Sequence, residues 1–259
     1  MKNLVRTASV LALGLLMFSA GRAQDNYEIQ VYGSDTVEEG KTMVELHSNF
    51  TFSGRKTVEN GVEPTRHAIH ETLEITHGFT KDFEIGFYLF TSIRNGDGFD
   101  IVGTHIRPRF KAPDKWKLPV GLSLSTEFGY QRRKFSEDTW TLELRPIIDK
   151  QLGKWYTAFN PTLERSLKGL NKDQGFEFSP NVKVAYSVTK KAAVGIEYYG
   201  AVGPVFHFDP PREQEQQFFG AVDLFTSPKW EFNLGMGVGV TRSTDHLIAK
   251  FIVGRRFEF

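Results

Sequence analysis

The sequence predicts an all-β fold, an up-and-down antiparallel transmembrane β-barrel of about twelve strands. Three observations predict it. Apolar residues recur at every second position in segment after segment, which is the pattern of strands with one oily and one wetter face. The segments are mostly longer than the five or six residues common in globular sheets, and close to the about 9–11 that cross a bilayer at a tilt. The connectors between them alternate between tight and long, as they do when one end of a barrel carries short turns and the other long loops.

The chain opens with residues 1–23, where Lys2 and Arg6 precede the apolar run Val10–Ala20 and the small-residue site Gly21-Arg22-Ala23. That order is a secretory signal peptide. Cleavage after Ala23 removes three of the 32 basic residues and none of the 31 acidic ones. The remaining, slightly acidic chain predicts no nucleic-acid partner. No second apolar run approaches the about 20 residues of a membrane helix. Cysteine is absent, which suits an exported chain stable without disulfides.

Residues 24–42 form an N-terminal periplasmic segment. Within it Asn26–Gly40 carries a short alternating run, Tyr27–Tyr32, ahead of the first spanning strand. It is expected to fold inside the barrel as a plug or to pack across its periplasmic mouth. Residues 43–259 are the barrel, with strands near 44–53, 67–77, 83–93, 100–111, 119–131, 139–151, 154–166, 175–187, 192–203, 215–226, 229–241 and 246–259. In the first, Val44, Leu46, Phe50 and Phe52 oppose Glu45, His47, Asn49 and Thr51. In the eleventh, Trp230, Phe232, Leu234, Met236, Val238 and Val240 oppose Glu231, Asn233, Gly235, Gly237 and Gly239. Tight connectors at 78–82, 151–154, 187–191 and 226–229 fall on the periplasmic side, joined by the longer APDKWKLP at 112–119, while 54–66 and 203–214 are long and polar. Trp116, Trp155 and Trp230 flank the periplasmic turns, where an interfacial aromatic girdle belongs.

The last strand ends Phe257, Glu258, Phe259. A final strand with an aromatic terminus and a second aromatic two residues earlier resembles the C-terminal signal of bacterial outer-membrane β-barrels. Phe251, Val253, Phe257 and Phe259 carry the likeness, and Arg255 and Arg256 depart from it. The resemblance implies location in the outer membrane of a Gram-negative cell, contact with its lipid, and recognition of Phe257 and Phe259 by the barrel-assembly machinery. More loosely, HETLEITHGFTKDFEIGFYLF (70–90) and EFNLGMGVGV (231–240) are similar to barrels assigned to transport, near the phenol-degradation-pathway outer-membrane family.

Function then belongs to the lumen. The inward list is His47, Asn49, His70, Glu74, His105, Arg107, Arg109, Glu127, Glu143, Arg145, Asn160, Glu164, Lys183, Glu197, Asp223, Asn233 and Lys250. Both charge signs are present, so no single-sign selectivity ring is formed. Two readings follow: a narrow channel for a small polar or amphipathic solute, or a salt-bridged, closed interior in a non-conducting structural or adhesion barrel. Inward glycines at Gly121, Gly129, Gly195, Gly235, Gly237 and Gly239 mark close approach of other groups or relief of strain in a coiled sheet.

No enzyme is predicted. A lipid hydrolase would need a His and a Ser two apart on the lipid side, whereas His47 and Ser48 are adjacent and point to opposite faces. No cofactor or metal is expected. His67 and His70 fall on opposite faces of one strand, and His47, His70 and His105 converge in the lumen without a recognised ligand spacing. RNGDGFD (94–100) reads as a hairpin tip rather than a calcium loop.

Overall fold

A computed structural model describes residues 26–94 and 96–258. The signal peptide and Phe259 lie outside the described residues. Twelve strands run in chain order: β1 Lys41–Ser53, β2 Ile69–Thr80, β3 Phe83–Arg94, β4 Gly98–Lys111, β5 Gly121–Gln131, β6 Asp138–Leu152, β7 Trp155–Gly169, β8 Phe176–Thr189, β9 Ala192–Ala201, β10 Glu215–Ser227, β11 Trp230–Gly239 and β12 Leu247–Glu258. Each pairs antiparallel with its sequence neighbours, and β1 pairs β12, so the sheet closes without an edge. Closure is what hydrocarbon demands, since an open edge would leave bare N–H and C=O groups with no water to satisfy them. Among the described residues no helix is long and apolar enough to cross a membrane.

Period-two alternation sorts the side chains. Leu46 lies opposite Leu73 on β2 and Val253 on β12, and Leu73 opposite Leu89 on β3, so apolar side chains join into an outward belt. Leu46, Phe87, Ile106, Leu124, Ile196, Leu234 and Val238 are all exposed on it. The interior is inverted relative to a soluble protein: among the described residues, buried polar and charged side chains outnumber buried apolar ones. A contiguous apolar skin over a polar interior is stable in lipid and would be an aggregation hazard in water.

The two ends differ. Two-residue turns at 81–82, 153–154, 190–191 and 228–229 close one end, together with the 112–120 connector and its short 3-10 turn Asp114–Trp116. Gly153 takes a left-handed φ of 61° in its turn, where a side chain would be strained. Longer loops, 54–68 and 202–214 above all, occupy the other end. Trp116, Trp155 and Trp230 are exposed near the turn end, and Arg255 stacks 5.2 Å from the Trp230 ring. One boundary departs from the sequence reading at His67. It lies in the loop before β2 with a φ of 59°, not in the strand, because the chain turns there to send its N–H to the Thr51 carbonyl.

The segment before β1 does not lie beneath the barrel. Asn26 bonds Asp245 in the loop between β11 and β12 at 2.5 Å, and its carbonyl accepts from Asn49. Further along, the Ile29 carbonyl accepts from Lys250, the Tyr32 N–H donates to the Asn160 side-chain carbonyl while the Asn160 amide donates back to the Tyr32 carbonyl, and Ser34 donates to Asp149. Finally the Val37 N–H reaches Glu84, and the Gly40 N–H reaches the Gly78 carbonyl beside the turn end. The segment therefore threads the lumen from the loop end to the turn end before reversing into β1.

Candidate functional site

The inward face of each strand delivers its polar residues at every second position, and the threaded segment meets them at mid-height. Tyr32 is the centre of that meeting. The guanidinium groups of Arg107, Arg109 and Arg145 lie 5.0, 5.9 and 4.9 Å from its ring centroid, within cation–π range. Its hydroxyl donates to Glu28 at 2.5 Å and lies 3.2 Å from the Tyr88 hydroxyl. Burial and the neighbouring Glu28 push the phenol well above its usual range, so it remains a neutral donor.

Three charge clusters radiate from this point. In the first, Arg107 pairs Glu74 at 2.6 Å, Arg109 pairs Glu84 at 2.7 Å, and His47 Nε2 lies 3.5 Å from Glu74. In the second, Arg145 serves three carboxylates: Glu143 at 2.8 Å, Glu28 at 3.0 Å and Glu127 at 3.5 Å. His105 approaches Glu127 at 3.3 Å. One guanidinium cannot neutralise three buried acids. Burial first, and Glu127 second, raise the Glu28 carboxyl above the usual range against the lowering effect of Arg145. In the third cluster Glu197 is shared by Lys250 and Lys183, Lys183 also holds Asp223 at 2.8 Å, and Asn233 donates to Asp223.

Of the remaining expected residues, Asn49 and Asn160 bond the threaded main chain. Glu164 lines the cavity at the loop end. The three histidines do not share one set of neighbours. His47 faces Glu74, His70 packs edge-on against Tyr27 with centroids 4.6 Å apart, and His105 faces Glu127. His47 is buried in the lumen, while Ser48 on the outer face donates to Glu71.

Several residues buried in the lumen fall outside the expected inward set. Glu45 and Glu84 occupy the polar faces of β1 and β3 at strand period, a signal that was sufficient to place them. Glu28 and Tyr32 precede the barrel, and only the short alternating run hinted at them.

Apolar contacts complete the closure. Ile29 and Val31 pack with Ala158, Tyr199, Phe219 and Ile248 on one side of the lumen, and Tyr27 packs with Tyr88, Phe90 and Val102 on the other. Gly237 makes room for Phe219, because a Cβ there would strike the ring. Above this layer is a cavity of about 200 Å³ lined by Glu28, His70, Arg94, Glu127, Arg145 and Glu164 among others. Below it, a second cavity of about 530 Å³ beside Ser34, Asp35, Lys111 and Asp149 opens at the turn end.

No protein-family model and no curated protein matches the chain. Solved structures do. The COG4313 outer membrane channel from Pseudomonas putida F1 superposes with a TM-score of 0.62 at 14% identity, over 89% of this chain and 100% of that one. The KdgM porin gives 0.52 at 12% identity, over 84% and 99% of the two chains. The NanC porin gives 0.52 at 7% identity, over 83% and 100%. The barrel thus shares its fold with outer-membrane channels.

Proposed function

We propose that the chain is an outer-membrane channel for small solutes, and that Asn26–Gly40 is a displaceable internal plug. The observation that carries the reading is Tyr32, held among three arginines between the loop-end cavity and the turn-end cavity. The fold shared with three channels supports the first half, as does the looser likeness to transport barrels near the phenol-degradation-pathway family.

The manner of attachment supports the second half. Between Asn26 and Val37 the segment is held by side-chain contacts with the wall: hydrogen bonds such as those from Arg109 to the Gly33 and Asp35 carbonyls, the Glu28–Arg145 ion pair, and the packing of Ile29 and Val31. Each neutral hydrogen bond of this kind is worth about 0.5–1.5 kcal/mol net, so the segment is held by side-chain contacts of graded strength and not by a strand ladder. It joins β1 at the turn end, which this reading places in the periplasm, so it withdraws downward without breaking a strand pair. Once it leaves, the wall from His47 and Asn49 round to Asp223 and Asn233 is the solute path. That path carries both signs of charge and suits a small polar or amphipathic solute. Phe257 and Phe259 remain the proposed recognition signal for the barrel-assembly machinery.

Planar-bilayer recording tests the reading. The mature chain should give small or flickering steps, and a variant lacking residues 26–40 should give steady steps several-fold larger. Equal steps would remove the plug and leave the channel. No steps from either protein would establish the sealed structural barrel instead.

A further inference from the structure

The lumen clusters around Tyr32 are short of positive charge. Glu28, Glu45, Glu74, Glu84, Glu127 and Glu143 gather there, against the guanidinium groups of Arg107, Arg109 and Arg145. Glu45 is where the deficit is sharpest. It is buried, and among the described residues it makes no hydrogen bond or ion pair. It also stands directly across the β1–β2 ladder from Glu74. Two like charges opposite one another in a buried pair repel. Acid set against acid at this depth attracts a cation.

His47 supplies the second, independent observation. The next inward residue of β1, it is fully buried; its Nδ1 has no hydrogen-bond partner, and its Nε2 has only the long 3.5 Å contact with Glu74 Oε2. Glu74 Oε2 has no hydrogen-bond partner beyond that contact, although its other oxygen accepts from Arg107. A buried imidazole with one nitrogen unpartnered and the other only loosely paired costs stability unless something else takes a lone pair. The donor atoms of Glu45, His47 and Glu74 all lie within 4.8 Å of one another. Ligands of a tetrahedral ion with bonds of about 2.1 Å stand about 3.4 Å apart, so modest side-chain rotation closes the set. Gly254, across the β1–β12 ladder, admits Glu45 to this position, since a Cβ there would stand 2.9 Å from Glu45 Cγ.

The geometry points to a site for one divalent transition-metal ion of the zinc class, ligated by Glu45, His47 and Glu74. One imidazole nitrogen and two carboxylate oxygens form a borderline donor set, which suits zinc or cobalt better than magnesium, whose preference is for oxygen and retained water. Three protein ligands leave a fourth position for water. Bound there, the ion bridges the first two strands and offsets the excess of carboxylates. The site is independent of whether the lumen conducts.

The test uses the mature chain refolded in detergent and stripped with chelator. Calorimetric titration with zinc chloride should give one ion per chain, and cobalt chloride should give the visible absorption of a four- or five-coordinate ion. Glu45→Gln and His47→Gln should each weaken zinc binding at least tenfold, while His105→Gln, at a histidine outside the triad, should leave it unchanged. Heat-modifiable gel mobility reports whether each variant is folded, and the cobalt spectrum of the unaltered chain needs no variant. Absence of stoichiometric zinc uptake, or uptake that persists in folded Glu45→Gln and His47→Gln, overturns the assignment.

Discussion

Arg145 illustrates how much of the lumen depends on single side chains. It reaches Glu143 two residues away, Glu127 on the neighbouring strand, and Glu28 at a separation of 117 residues. Replacing it with Met leaves three buried acids without their shared cation. Loss of one partner of a buried pair costs about 3–5 kcal/mol. Urea unfolding of Arg145→Met in detergent should show a loss of that order, and a loss below about 1 kcal/mol would contradict the arrangement.

Glu28 gives the residue-scale pH dependence. Its carboxyl is raised above the usual glutamate range when the segment is docked, so docking favours the protonated form. A raised acid contributes stability that is complete below the unfolded value near 4.5 and is lost as pH climbs through the docked value. The docked state is therefore favoured in acid and weakened towards neutrality, where an ionised Glu28 faces Glu127 and Glu74 as well as Arg145. Channel open probability should rise with pH, and Glu28→Gln should flatten that rise. A rise of unchanged size in Glu28→Gln would point to other groups. The wall residues of this site were legible in the sequence because period two places them. The partnership of Glu28 and Tyr32 with Arg145 was not, because nothing local in a chain announces a contact made across the barrel axis.

At the scale of the strand, the decisive property is which face meets lipid. Leu234 lies midway along β11 and faces outward, opposite Val222 on β10 and Phe251 on β12. An Arg at the midplane of such a face costs about 2–4 kcal/mol. Leu234→Arg should lower barrel stability in lipid vesicles by that amount, as measured by denaturant titration. A neutral result would mean that the face does not touch hydrocarbon.

The strands also carry Pro108, Pro146, Pro161 and Pro180, unusual inside a sheet because proline has no N–H to donate. The β4–β5 ladder skips Arg107 and Pro108, and the β6–β7 ladder skips Arg145–Ile147 opposite 160–162. Arg107, Arg145 and Asn160, which hold Tyr32, each immediately precede one of these prolines. The strands themselves were legible to within about three residues because a membrane sheet imposes one long alternation on each. The one histidine read into a strand, His67, lies in a loop whose left-handed turn the alternation could not reveal.

For the molecule as a whole, twelve strands enclose a lumen between the filled interior of an eight-stranded barrel and the open channel of a 16–18-stranded one. Here that intermediate space holds one extended segment. The fold class followed from alternation, segment length and connector size, and the shared fold with three outer-membrane channels agrees with it. The path of the segment did not follow, since a short apolar run before a barrel is equally compatible with a lumen and with a mouth.

Asn26 lies at the far rim from the place where the thread is rooted in β1. Anything bulky joined ahead of Asn26 has only two fates: to be carried out past the rim between the long loops, or to stay below and keep the thread from being drawn up. A folded domain fused at that position should hold the bore unblocked, while the same domain fused after β12 should leave it stoppered, so the placement of a purification tag decides which state of the barrel is measured.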